Sequence, residues 1–317
     1  MIGLREIMSQ TKRIHRLSLV AALVFFCLTD RSPAAQKAGA SEPRTITLAL
    51  ISMNQKEIEE HFQPFVRYVA TKLSGVSSVD GRTVVVPTQS HLANLLLEKK
   101  ADFYMESPYP TYQINSVYGA AKLLLRRWKG GMSDYHTLIF TRKDGAIKRL
   151  DDLRGHIIAF EDPESTSGHF LPKVFLSRKG YKLVRKSQIE PNVPAAEVGY
   201  FFAETQDKIM DLVLTQRVAA GAFSNDDFAA LDSAKKAEII ILGATASLPR
   251  HLVSVRKDLP PATVDRLKST LLSMHQEPEG HSILEKLDGT TKFDTLPGGE
   301  LAISQRLLDT FYSPEKR

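Results

Sequence analysis

The chain has 317 residues, 42 Lys and Arg against 36 Asp and Glu, a formal net charge of +6 and a single cysteine. One cysteine excludes an internal disulfide and any multi-cysteine metal site. Six of the basic residues and two of the carboxylates lie within the first 40 residues, so beyond Ala40 the balance falls to +2 with both signs interspersed, which argues against nucleic acid as a partner.

Arg5, Lys12, Arg13 and Arg16 precede an apolar run from Leu17 to Leu28, and small residues follow, with Ala38-Gly39-Ala40 as an A-x-A cleavage site. This pattern reads as a secretory signal peptide over residues 1–40. A bilayer span needs about 20 apolar residues, so the short run argues for a cleaved signal rather than an anchor. Phe25 and Phe26 are too bulky for lipoprotein processing at Cys27. Cleavage near Ala40 leaves 277 residues without cysteine, a length that favours two lobes over one core.

Strands then alternate with helices. Thr45–Ile51 is a strand, and Phe62, Phe65, Val66 and Val69 repeat at helical spacing up to Leu73, with Pro64 expected near the helix start. Thr83–Val86 is the next strand. Ser90 caps a helix through Leu92, Leu95 and Leu96, and Ala101–Met105 returns as a strand that leads into Glu106-Ser107-Pro108-Tyr109. Arg126-Arg127-Trp128-Lys129 reads as a solvated strand end or loop. A second series begins after Tyr135–Thr141. It holds the strand Ile157–Phe160, a helix from Thr205 through Val213, the strand Val218–Phe223 with a cap at Asn225-Asp226, the strands Glu238–Leu242 and His251–Val255, and a helical tail. The rhythm implies an α/β fold with mostly parallel sheets.

The most informative stretch is Phe160-Glu161-Asp162-Pro163-Glu164-Ser165-Thr166-Ser167-Gly168. It ends a buried strand and opens a helix marked by Phe170, Leu171, Val174 and Phe175. Free backbone N–H groups and the positive end of the helix dipole face outward at such a junction. Three hydroxyls and a glycine there suit a phosphate-sized oxyanion, although an ordinary N-cap uses the same residues. Helix starts at Ser90, Ser107, Thr205 and Asn225 also lie just past strand carboxyl ends, the edge where open α/β sheets bind ligands. Tyr104, Tyr109 and Tyr112 cluster beside one of them. His91, His136, His156, His169 and His251 show no metal spacing, and no metal or cofactor is expected.

The junction in its Asp-Pro context, Leu150-Asp-Asp-Leu-Arg-Gly155 before it, Ala101-Asp-Phe with Pro108-Tyr109, Gly221-Ala222-Phe223 and Leu248-Pro249 occur in an order that resembles the phosphate, phosphite and phosphonate-binding periplasmic proteins of ABC transporters. The resemblance spans about Thr45 to Tyr312. It implies a type II periplasmic-binding fold, with residues 41–138 and 248–317 forming one lobe, 139–247 the other, and a two-strand hinge between them. It further implies a monomeric periplasmic receptor that captures an oxyanion and passes it to an inner-membrane ABC permease. On that pattern Ser165, Thr166, Ser167 and the Gly168 N–H are oxyanion donors, Tyr109 and Tyr112 first-lobe contacts, and Thr205, Gln206 and Asn225 second-lobe specificity groups.

Two positions depart from the family. Gln206 stands where the resemblance implies a histidine, and an amide donates without adding positive charge. Glu106 adjoins Ser107-Pro108, where a carboxylate repels a dianion unless it meets an ammonium on a zwitterionic ligand. Two other readings of the whole chain stay open: a ligand-sensing periplasmic subunit of a signalling system, and an enzyme on the same bilobal fold, the latter without supporting cysteine or metal motifs.

Overall fold

A computed structural model describes residues 45–74, 79–189 and 192–312. The signal segment lies outside the described residues. The described residues belong to one compact unit. The first part of the chain runs β1 (Thr45–Ile51), α1 (Gln55–Leu73), β2 (Asp80–Val86), α2 (Gln89–Leu97), β3 (Phe103–Glu106), α3 (Pro108–Tyr112) and β4 (Ala121–Lys129). The short β5 (Asp134–Tyr135) leads into a second series: β6 (Thr137–Arg142), β7 (Ile157–Phe160), α4 (Leu171–Arg178), β8 (Lys182–Arg185), β9 (Glu197–Phe202), α5 (Gln206–Leu214), β10 (Ala220–Ser224), α6 (Asn225–Ala230), α7 (Ser233–Ala237) and β11 (Ile239–Ala244). The chain returns through β12 (Leu248–Pro249) to β13 (His251–Arg256), α8 (Pro261–Ser273), α9 (Pro278–Lys286), β14 (Thr290–Asp294) and α10 (Gly299–Phe311).

Two six-stranded sheets result, in the orders β14-β4-β13-β3-β1-β2 and β11-β6-β10-β7-β9-β8. In the first, β1 pairs parallel with β2 and β3, while β13 runs antiparallel to β3 and β4. In the second, β7 is parallel to β9 and β10, and β6 is antiparallel to β10. The antiparallel strands β6 and β13 are the two that adjoin the crossings between lobes. Between the sheets β5 and β12 pair antiparallel, Leu248 opposite Tyr135, and these two strands form the hinge. This is the type II arrangement of two α/β lobes.

Each lobe buries its own apolar core: Phe65, Phe103 and Phe293 meet in the first, Phe140, Phe223 and Ile209 in the second. A further cluster crosses between them, where Ile303 and Leu307 of α10 pack with Tyr112 and Leu252 of the first lobe and Leu171 of α4. The α4 residue Arg178 donates to the terminal carbonyls of α10, Asp309 O and Thr310 O. The ring of Phe311 packs on Tyr109 and Tyr112.

Local readings needed four corrections. Pro64 lies inside α1 rather than at its start. It is exposed, as is Glu60, whose carbonyl loses its amide partner to water, and the buried face of Phe62, Phe65, Val66 and Val69 carries the helix through. The cap of α2 is Thr88, not Ser90. The cap of α6 is Ser224, in a reciprocal box with Asp227, so Asn225 is the first helical residue. Arg126 and Arg127 are not solvated: both are buried within β4, a nine-residue strand covered on both edges by β14 and β13.

Candidate functional site

The carboxyl ends of β1, β2 and β3 face those of β7, β9 and β10 across a cavity of about 680 Å³. Ile51, Thr88, Glu106 and Ser107 line it from the first lobe, Glu161 to Ser167, Gln206 and Asp227 from the second, and Tyr135, Arg250 and His251 from the hinge region. Brought together here are five of the residues singled out in the sequence: Ser165, Thr166, Ser167, Glu106 and Gln206.

The core of the site is the β7–α4 junction. Strand β7 is buried throughout, and beyond it the chain turns at Glu161–Ser165 into a π-helical turn, Thr166–Phe170, continuous with α4. Ser165 is the cap, its Oγ accepting the Gly168 N–H at 2.9 Å and donating to Glu161 Oε2 at 2.7 Å. Ser165 Oγ and the Gly168 N–H are therefore engaged within the junction. Thr137 Oγ1 donates to the Ser167 carbonyl at 2.8 Å, which ties the turn to β6. His169 is buried among Phe160, Tyr200 and Phe202, where burial pushes its pKa down to about 4 and leaves the ring neutral.

Thr166 reaches the opposite lobe. Its Oγ1 accepts the Tyr109 N–H at 2.9 Å and shares a hydrogen bond of 2.9 Å with Ser107 Oγ. Tyr109 thus meets the junction through its backbone, while its ring stacks on Phe170. Tyr112 is buried in the cluster beneath α10. Thr205 is exposed and caps α5 through Lys208 N–H. Asn225 holds the hinge: its Oδ1 accepts the His136 N–H at 2.8 Å. None of these four side chains lines the cavity.

The walls carry more negative than positive charge. Glu106, Glu161, Asp162, Glu164 and Asp227 line the cavity against Arg250. Burial pushes Glu106 up to about 7 even though the Ile51 and Ser107 N–H groups bond to it and Arg127 lies nearby. Burial likewise raises Glu161, against hydrogen bonds from Ser165 and Gln206, and raises Glu164. Arg250 is partnered by Asp226 at 2.8 Å and lies over the Tyr135 ring. Burial and the neighbouring Arg127, Arg250 and Lys129 hold His251 well below the usual imidazole range.

Behind the site Arg127 is 1% exposed. Its guanidinium donates to Thr290 Oγ1 at 2.8 Å and the Leu287 carbonyl at 3.0 Å, meets Asp288, and lies 3.1 Å from His251 Nδ1. A neutral His251 can accept that proton, so each of the three guanidinium nitrogens has a partner without a ligand.

A family model for the periplasmic substrate-binding protein of phosphonate ABC transporters matches residues 48–296. The chain belongs to this family. Among solved structures, XAC2383 from Xanthomonas citri bound to chloride ion is 27% identical, with TM-score 0.77 over 84% of this chain and 97% of that one. The same protein bound to ATP gives 26% identity and TM-score 0.74 over 85% and 100%. PhnD1 from Prochlorococcus marinus (MIT 9301), in complex with methylphosphonate, shares the fold at 15% identity, with TM-score 0.61 over 84% and 98% of the two chains. No curated protein sequence matches.

Sequence reasoning placed Ser107 at the ligand-binding edge but missed Glu161, Tyr135, Arg250 and His251 as site residues. Glu106 and Glu161 stand in corresponding places, at or just past a strand's carboxyl end beside a helix start, and that shared position was the available signal. Tyr135 and Arg250 carried none, because they enter only through the β5–β12 pairing.

Proposed function

We propose that this member of the phosphonate-binding family is exported through a cleaved signal peptide over residues 1–40. In the periplasm it acts as a monomeric receptor that delivers a small oxyanion-bearing ligand to an inner-membrane ABC permease. The family is one of transport receptors rather than catalysts. The observation that carries the ligand reading is the β7–α4 junction, whose helix start and hydroxyls face Ser107 and Tyr109 across the cleft. A ligand touching both lobes stabilises the closed arrangement, so binding and closure are one equilibrium. The phosphoryl oxygens of the ATP bound to XAC2383 and of the methylphosphonate bound to PhnD1 support the oxyanion half of the reading.

Glu106 points to the rest of the ligand. A half-buried carboxylate on the first-lobe wall suits an ammonium, so a zwitterion such as an aminoalkylphosphonate fits better than bare phosphate. A thermal-shift screen of phosphate, phosphite, sulfate, alkylphosphonates and aminoalkylphosphonates tests this, with the amino compounds expected to raise the melting temperature most. In the same screen, replacing Thr166 and Ser167 together by Ala should weaken binding at least tenfold, since each charge-assisted hydrogen bond is worth about 1.5–3 kcal/mol. Unchanged affinity in that variant would remove the junction from the site.

A further inference from the structure

The seat at the start of α4 already holds an anion, and it is the protein's own. Glu161 follows β7, its N–H donating to the Gly168 carbonyl at 3.0 Å and its own carbonyl accepting the Glu204 N–H at 2.8 Å. With the backbone fixed on both sides, the side chain turns back toward the helix start, where Oε2 accepts the Ser165 hydroxyl at 2.7 Å. Gln206, at the start of α5, lines the same wall and its amide favours the charged form of this carboxyl. The fit leaves no spare room: a Cβ at Gly168 would fall 2.5 Å from Glu161 Cβ and 2.6 Å from its Oε2. Gly168 therefore lacks a side chain because Glu161 fills the space above it.

We infer that Glu161 is a built-in competitor for the anion seat and sets the charge selectivity of the cleft. A ligand oxyanion replaces this carboxylate at Ser165 and Gln206 rather than joining it, because two like charges within about 4 Å repel strongly in a site shielded from water. The penalty grows with ligand charge, so the cleft discriminates most against bare dianions. Ligands that bring N–H donors suffer least. The buried Gln206 Oε1 and Glu164 Oε2, both on the cavity wall, have no hydrogen-bond partner among the described residues, and both are acceptors. A donor-bearing ligand completes them, whereas a second acceptor does not. Glu161 is thus a specificity determinant acting by occupancy, and this inference rests on the oxyanion reading above.

Calorimetric titration of methylphosphonate, inorganic phosphate and 2-aminoethylphosphonate into wild type, Glu161→Gln and Glu161→Ala tests it, with the apo melting temperature of each variant as the folding control. Both variants should bind methylphosphonate and phosphate at least tenfold more tightly than wild type, and the preference for the amino compound should shrink. If wild type binds, and the Thr166/Ser167 double alanine variant loses binding, while the folded Glu161 variants leave methylphosphonate affinity unchanged or weaker, the competitor role is overturned and the oxyanion reading stands. If no probe binds wild type or either variant, both fall together.

Discussion

Thr166 Oγ1 of the second lobe lies 2.9 Å from Ser107 Oγ of the first, and the neighbouring Tyr109 N–H donates to the same Thr166 oxygen. One threonine hydroxyl therefore couples the helix start of one lobe to that of the other. Thr166 is 2% exposed, so water does not compete for the contact. Each such bond contributes about 0.5–1.5 kcal/mol net.

The two side chains should behave as a unit. A double-mutant cycle of Ser107→Ala and Thr166→Val, read by denaturant unfolding of the apo protein, should give a coupling energy of about 0.5–1.5 kcal/mol. Strictly additive losses would mean that the lobes do not meet here in solution.

Glu106 predicts a pH dependence. Its pKa is raised from 4.5 to about 7, so folding takes up a proton between those values. Stability is then highest on the acid side and falls as pH rises through about 4.5 to 7, by roughly 3 kcal/mol at most for this group. Glu106→Gln should flatten that part of the profile in chemical denaturation across pH 5–8. A variant whose stability tracks wild type over the whole range would show that Glu106 titrates normally.

The same residue should decide between ligands. An aminoalkylphosphonate should bind wild type more tightly than its alkyl counterpart, and Glu106→Gln should reduce that ratio in calorimetric titration. Equal affinities, or a ratio untouched by the substitution, would exclude ammonium pairing.

Arg127 should be structurally indispensable. Arg127→Met removes the donor shared by Thr290, the Leu287 carbonyl and Asp288, and leaving buried acceptors unsatisfied costs about 1–3 kcal/mol. A midpoint shift in urea unfolding corresponding to less than about 1 kcal/mol would place the guanidinium in a solvated setting instead.

Export is tested by mass. The protein released by gentle disruption of the outer membrane should begin after residue 30, whereas full-length chain retained in the cytoplasm would contradict the signal peptide.

Strands buried on both faces were legible because their apolar runs are local: Thr45–Ile51 and Ile157–Phe160 have the bounds read from sequence. Strand β4 was not, because it ends in Arg126-Arg127-Trp128-Lys129, and charges near a strand end look solvated. Their burial depends on Asp294 and Asp288, more than 160 positions away, which no local window contains. The helix start at Ser165–Gly168 was legible from caps and spacing. That Glu161 occupies it is a matter of side-chain direction, which spacing does not encode. Tyr109 and Tyr112 read as ligand contacts because aromatics beside a helix start suit a binding site, but Phe170 and Phe311 claim their rings.

Helix α10 touches both lobes and the hinge strands, through Ile303 and Leu307, through Phe311 on Tyr109, and through the Arg178 bonds to its last carbonyls. The apparent dissociation constant of a two-state receptor is its intrinsic value divided by the fraction of molecules in the binding-competent form. A change at Arg178 or Phe311 that shifted this fraction would multiply the constant of every ligand by one common factor. On the proposed site, a change at Glu106 or Glu161 should instead alter the order in which ligands are preferred. On the proposed site, sensitivity and preference would thus lie in separate parts of the chain, so that a receptor of this build could be retuned to scarcer or richer supply from its tail while its choice of solute stays fixed.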